Sequence, residues 1–338
     1  MLQSTTFEDS LKIVRNVIKT AKTAAITTHV NPDGDAIGST LGLYHFLKQI
    51  GIESKVINCS PTPYNFLFLP GANEIEVYAP EKHDYFLETT DLLFVLDANA
   101  ASRLQTMENI VLKSRARKII IDHHLNPEDF ADYYAVDTQA CSTAELVWKF
   151  IHSYESAKMT AQIAPALYAG ILTDTGSFKF PRTTPEVHRI VANLIEAGAD
   201  PFTISNEIYN TAPFEKTLLL GEALASMKLF FGGRFCVMMI TQELFKKTGT
   251  SELDVEGLVH HTLGFKGAVM GLLMTETEGG KLVKLSFRSK GEVAVNTLAA
   301  EFGGGGHFNA AGARVEGKTM EEVLKDVLKL LERDIFLN

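Results

Sequence analysis

The chain has 338 residues, 46% apolar and 22% charged, the balance of a globular protein long enough for two domains. Its formal net charge of −9 excludes a generic polyanion-coating role, because non-specific duplex binding needs an array of Lys and Arg to displace counterions. Three widely spaced cysteines, Cys59, Cys141 and Cys236, fit reduced thiols. With no signal-peptide core and no apolar run of bilayer length, they lead us to expect a soluble, cytoplasmic protein without membrane contact.

The N-terminal stretch carries charged and apolar residues at helical spacing. A strand expected over 24–29 then leads into THVNPDGDAIGS at Thr28 to Ser39, which sets His29, Asp33 and Asp35 around a proline and a glycine. A helix is expected over 36–50, and a solvated loop capping it through Asp35 accounts for this segment equally well when taken alone. After a strand over 55–58, the run 92–97 ends in Asp97, and the run 118–122 ends in Asp122-His123-His124. A strand over 133–136 and helices over 142–154 and 161–172 follow, with Asp174 in Thr173-Asp174-Thr175-Gly176. A helix over 185–197 closes on Gly198 as cap and Asp200-Pro201 as stop.

This alternation predicts an α/β fold, an N-terminal parallel sheet flanked by helices. Ligands of such sheets bind beyond the carboxyl ends of the strands, so the strand-end carboxylates and imidazoles converge on one rim. Their recurrence in order outweighs the capping-loop reading of the first segment alone.

From about Glu215 the pattern changes. A helix-like stretch precedes a strand over 235–240, and strands over 268–275 and 281–288 flank a hairpin at Gly279-Gly280. The glycine run Gly303 to Gly306 and an amphipathic helix over 320–335 complete a smaller C-terminal α+β domain. The expected boundaries are 1–200, a connection over 201–214, and 215–338.

The motif set HVNPDGDAIGS at His29, strand-end Asp97, DHH at Asp122 and TDTG at Thr173 resembles the DHH phosphoesterase superfamily. FRSK at Phe287 and GGGGHFNAAG at Gly303 resemble its associated C-terminal domain, and the length without further modules is most similar to the NrnA-type nanoRNases. The resemblance implies two divalent ions, usually Mn²⁺. His29, Asp33 and Asp97 would hold one, and Asp35, Asp97, His123 and Asp174 the other, with Asp97 bridging. A mixed imidazole and carboxylate set independently suits Mn²⁺, and the lack of thiolate argues against structural zinc.

The implied activity is hydrolysis of short single-stranded oligoribonucleotides to mononucleotides, and of adenosine 3′,5′-bisphosphate (pAp) to AMP. It would proceed by attack of metal-activated hydroxide at phosphorus. Long duplexes are not expected as partners, and homodimerisation is compatible with the sequence but not specified by it. Hydrolysis of linear or cyclic dinucleotides would use the same chemistry. A nucleotide-binding sensor without turnover is the other alternative, and it would lack ligands that this chain has.

His124 and Asp122 are the candidate catalytic residues. Neighbours on an extended strand point to opposite faces, so His123 and His124 need not hold the same ion. A phosphate contact, a proton donor to the leaving oxygen and an imidazole orienting a carboxylate all remain open for His124, while Asp122 is expected to support the histidines. Arg103 is a candidate phosphate contact or a surface ion pair. The backbone of Gly304, Gly305 and Gly306 would admit an anion. With His307 and Asn309 this run resembles the family's phosphate cradle, and Arg288 would pair with a second phosphate. His260-His261 lacks a carboxylate set and reads as packing or surface. Trp148 and the phenylalanines sit mostly at helical or strand spacings and read as core rather than as base-stacking platforms.

Overall fold

The computed structural model describes residues 6–154 and 156–333, and the chain divides into two compact units, Met1–Thr211 and Ala212–Asn338. In chain order the first unit contains α1 (Phe7–Ile18), β1 (Thr23–Thr28), α2 (Gly34–Gln49), β2 (Glu53–Asn58), β3 (Glu76–Val77), α3 (Pro80–Thr89) and β4 (Leu92–Leu96). It continues with α4 (Glu108–Lys113), β5 (Arg117–Asp122), β6 (Tyr133–Val136), α5 (Thr143–His152), α6 (Ala164–Asp174), α7 (Pro185–Glu196) and α8 (Pro201–Tyr209).

The six strands form one sheet in the order β3–β2–β1–β4–β5–β6, parallel throughout. Strand β4 is buried along its whole length, as are Ile119, Ile120 and Ile121 of β5. Such unbroken apolar runs are what a sheet covered by helices on both faces selects. Helix α2 is buried from Gly34 to Leu47 and lies hard against α6, where a Cβ on Gly38 would meet the Ala166 carbonyl oxygen at 2.3 Å.

Three elements escape the hydrophobic pattern: β3 has two residues, α4 has six, and α3 buries only His83 and Leu87. Asp200-Pro201 does more than stop α7. Asp200 caps α8, its Oδ1 accepting from Phe202 N at 3.1 Å. The stretch 201–214 expected as a connection therefore contains a helix of the first unit, with Ile204 and Ile208 in that unit's core. Among the described residues no helix is long and apolar enough to cross a membrane.

The second unit runs α9 (Phe214–Ala225), β7 (Lys228–Phe230), β8 (Phe235–Ile240), α10 (Gln242–Thr248), β9 (Met270–Thr277), β10 (Leu282–Ser289), α11 (Val295–Ala300), β11 (Gly305–His307), β12 (Ala310–Glu316) and α12 (Met320–Leu331). Its sheet order is β11–β12–β10–β9–β8–β7, antiparallel except for the parallel β8–β9 pair. The expected hairpin is β9–β10. Phe235, Met270, Phe287, Val295 and Val323 form the core of this unit. The last two positions of the helix expected to reach 335 lie outside the described residues.

Candidate metal centre

The carboxyl ends of β1, β4 and β5 carry His29, Asp97 and Asp122-His123 onto one rim of the parallel sheet. Asp33 rather than Asp35 caps α2, its Oδ1 accepting from the backbone N–H of Asp35 and Ala36 at 3.1 Å each. That leaves Asp35, 1% exposed, free to reach across to α5, where its two oxygens accept from Thr143 N at 2.6 Å and Ala144 N at 2.8 Å. Asp97 leaves β4 with φ +55, and its Oδ1 accepts from Thr143 Oγ1 at 3.1 Å. Asp174 ends α6. Donor atoms of His29, Asp33 and Asp97 lie within 4.8 Å of one another, as do those of Asp35, His123 and Asp174, and those of Asp97, His123 and His124.

Hydrogen bonds set the histidine tautomers. His29 Nδ1 lies 2.8 Å from the Val30 carbonyl and His123 Nδ1 lies 3.4 Å from the Ala140 carbonyl, so both Nδ1 atoms carry the proton. Each Nε2 lone pair then faces carboxylates. His29 Nε2 is 3.2 Å from Asp97 Oδ2 and 3.9 Å from Asp33 Oδ1, yet buried without a hydrogen bond. His123 Nε2 is 3.5 Å from Asp174, 3.6 Å from Asp97 and 3.9 Å from Asp35. A neutral imidazole here turns its Nε2 lone pair onto carboxylates, a repulsion that either a proton on Nε2 or a metal cation between the groups relieves.

The carboxyls register the same strain. Burial, then the charges of Asp97, Asp174 and Asp33, push Asp35 well above the usual carboxylate range. Burial, then Asp33 and Asp97, do the same to Asp174, with Arg182 in partial opposition. Asp97 is held low: burial opposes its ionisation, but His29, His124 and His123 outweigh it. Burial works against a charged His29, but Asp97 and Asp33 raise its pKa, while burial lowers that of His123. This donor set fits divalent cations.

Residues 23–171 match the DHH family, N-terminal domain, and residues 232–335 match the DHHA1 domain. The chain is 33% identical over 333 residues to the bifunctional oligoribonuclease and PAP phosphatase NrnA of Thermus thermophilus, covering 97% of this chain and 95% of that one. The chain belongs to the DHH family. Its Bacillus subtilis relative of the same name is 29% identical over 295 residues, 87% of this chain and 89% of that protein. A crystal structure of an exopolyphosphatase-related protein from Bacteroides fragilis superimposes with a TM-score of 0.92 at 33% identity, covering 98% of this chain and 99% of that one. DHH family phosphoesterases are metal dependent, in keeping with the donor set above.

Beside the DHH centre, Asp122 is wholly buried, and its Oδ1 lies 2.7 Å from His124 Nδ1. His124 Nε2 lies 3.3 Å from Arg103 Nη1, so the network assigns the proton to Nδ1 and makes Nε2 an acceptor for the guanidinium. In the DHHA1 unit the glycine run is shaped by packing. A Cβ on Gly304 would meet the Gly312 carbonyl oxygen at 2.1 Å, and one on Gly306 would meet that of Ala310 at 2.6 Å, whereas Gly305 faces open space. Asn309 spends its amide N–H groups on Ser289 Oγ at 2.9 Å and the Gly291 carbonyl at 3.0 Å. Arg288 donates to the Phe287 carbonyl at 2.9 Å, and burial lowers its pKa. His307 lies in β11. His260-His261 occupies a 3-10 turn and enters none of the metal-competent groups among the described residues.

Three contributors went unread in the sequence. Thr143 holds both Asp35 and Asp97. Glu128 accepts from Ala101 N at 2.8 Å and so fixes the turn that carries Arg103. Arg182 donates to the Ala140 carbonyl at 3.4 Å, the group that also orients His123.

Proposed function

We propose that this protein is a metal-dependent phosphoesterase that hydrolyses short oligoribonucleotides to mononucleotides and adenosine 3′,5′-bisphosphate to AMP. The observation that carries the metal assignment is the pair of buried imidazoles with Nδ1 on backbone carbonyls and Nε2 turned into carboxylates. The oligoribonuclease and PAP phosphatase activity for which the Thermus and Bacillus relatives are named supports the substrate class.

His29, Asp33 and Asp97 would hold one divalent ion, and Asp35, Asp97, His123 and Asp174 a second, with Asp97 shared. The mixed nitrogen and oxygen donors favour Mn²⁺. When bound, the ions supply Lewis-acid neutralisation of the phosphoryl oxygens and a water of lowered pKa as nucleophile.

The chain's own residues do the rest. Asp122 fixes the His124 ring, and His124 in turn holds the Arg103 guanidinium beside the centre, where it meets a phosphate oxygen. Carboxylate ligands on rigid helix N-termini keep their positions as charge develops at phosphorus. In the second unit, Arg288, the Gly304–Gly306 backbone and His307 are the residues proposed to bind a phosphate group, while Asn309, its amide N–H groups engaged by Ser289 and Gly291, would brace the turn beside them. The net charge of −9 disfavours long duplexes, and the free thiols Cys59, Cys141 and Cys236 accord with a cytoplasmic setting.

The test is hydrolysis by metal-stripped protein with Mn²⁺ restored, offered pAp, RNA of two to five nucleotides and a cyclic dinucleotide, with Asp97→Ala as control. Release of AMP and mononucleotides, abolished in the control, is expected. Preference for the cyclic dinucleotide would move the substrate class to second-messenger nucleotides. No turnover with metal bound would refute the reading.

A further inference from the structure

The turn that follows Asp174 holds three successive residues in the left-handed region: Gly176, Ser177 and Phe178 have φ of +56°, +60° and +64°. A bulky Phe adopts this conformation only where surrounding contacts impose it. Here Lys179 N and Phe180 N both donate to the Thr175 carbonyl, at 2.9 and 3.0 Å, and Ser177 Oγ lies 3.4 Å from the Tyr209 hydroxyl.

The result is that two phenylalanines two positions apart diverge. Phe178 packs against Tyr168 and His188, with ring centroids 6.2 and 5.5 Å apart. Phe180 turns outward, 46% exposed, its ring laid over Gly176 so closely that a Cβ there would meet Cζ at 2.5 Å. Two residues on, Arg182 is exposed, reaches the Ala140 carbonyl that orients His123, and acts electrostatically on Asp174. The loop thus sets a ring and a guanidinium at the edge of the metal centre.

We propose that the Gly176–Arg182 loop is a nucleotide subsite, in which Phe180 stacks on the base flanking the scissile phosphate and Arg182 binds a phosphate oxygen. The inference rests on the function proposed above and adds how the substrate is recognised. An aromatic ring accepts any base through its π-face, which suits sequence-tolerant turnover of short single strands, and the planar guanidinium matches phosphate. A base paired within a duplex has no free face to offer, so the subsite selects single-stranded ends.

The probe is a dinucleotide carrying 2-aminopurine, with a methylene phosphonate linkage that resists hydrolysis, titrated into the full-length, Mn²⁺-loaded protein. Stacking quenches 2-aminopurine fluorescence. Phe180→Ala is expected to weaken binding about tenfold and to lose most of the quenching, with Phe180→Tyr restoring both. Arg182→Ala is expected to weaken binding while keeping the quenching at saturation, and Arg182→Lys to recover part of the affinity. A dinucleotide abasic at the labelled position should bind wild type and Phe180→Ala equally. Undiminished affinity and quenching in Phe180→Ala would overturn the subsite and leave the proposed function standing. Failure of wild type to bind the probe would overturn both.

Discussion

Replacing Asp174 with Asn should stabilise the metal-free protein and remove most of the stabilisation that metal confers. Donor atoms of Asp35, His123 and Asp174 lie within 4.8 Å of one another, so two ionised carboxylates there repel by about 3 kcal/mol at an effective dielectric near 20. Part of this is already relieved by protonation, since both carboxyls are pushed up. The metal-free Asp174→Asn protein should therefore be the more stable by about 1–3 kcal/mol at pH 8. Mn²⁺ at a hundred times its dissociation constant should stabilise wild type by about 2.7 kcal/mol, and the variant by far less. Trp148 is the chain's only tryptophan and sits in α5 of the first unit, so its fluorescence during urea unfolding reports that unit. Curves in chelator and in Mn²⁺ give the four stabilities. A variant less stable than wild type in chelator, or equally stabilised by Mn²⁺, would refute the account of the centre as a frustrated cluster awaiting cations.

Gly170→Ala leaves every donor in place, but its Cβ would meet Ala144 Cβ at 2.6 Å and Asp35 Oδ1 at 3.0 Å; calorimetry should show weaker Mn²⁺ binding, and urea unfolding a loss of about 1–3 kcal/mol. Thr143→Val removes the hydroxyl donor to Asp97 while keeping the backbone N–H to Asp35, and should lower metal-free stability by about 1.5–3 kcal/mol in the same unfolding assay. Glu76 is held at about 2, first by its hydrogen bond with Lys82 and then by His83, so its folded pKa lies below the ordinary 4.5. The stability it contributes is full above pH 4.5 and is lost as pH falls through about 2, so the gap between wild type and Glu76→Gln, read by denaturant titration, should shrink across that window.

The parallel sheet and its rim were legible because the buried apolar runs Leu92–Leu96 of β4 and Ile119–Ile121 of β5 stop abruptly at Asp97 and Asp122. A carboxylate ending such a run has no packing role, so each strand announces both its burial and a candidate functional end. What stayed hidden is non-local. Thr143 meets Asp35 across 108 positions, and Arg182 meets Ala140 across 42, and no periodicity encodes either pairing. The cap of α2 shows the same limit. Asp33 and Asp35 are both good capping residues, and α5 decides between them by supplying N–H groups to Asp35. The glycine run of the second unit reads as an anion cradle locally, yet Gly304 and Gly306 also answer to the close approach of β12, which only the fold reveals.

The arrangement explains how three of the four carboxylates can be assembled before any cation arrives. Asp33 is anchored by the first N–H groups of its own helix, and Asp35 by those of α5, while Asp97 takes the hydroxyl of Thr143 at the start of that same helix. Helix N-termini carry partial positive charge, so two helices pointing into the rim offset part of the repulsion that Asp35 and Asp174 still register. The imidazoles are pinned from behind by backbone carbonyls. Asp33, Asp35, His29 and His123 are thus held by main-chain groups that no single side-chain substitution removes, while Asp97 depends on the Thr143 hydroxyl. Metal affinity in this centre is therefore set by preorganisation as much as by ligand identity. Gly170→Ala, which displaces Asp35 without altering a charge, separates these two contributions.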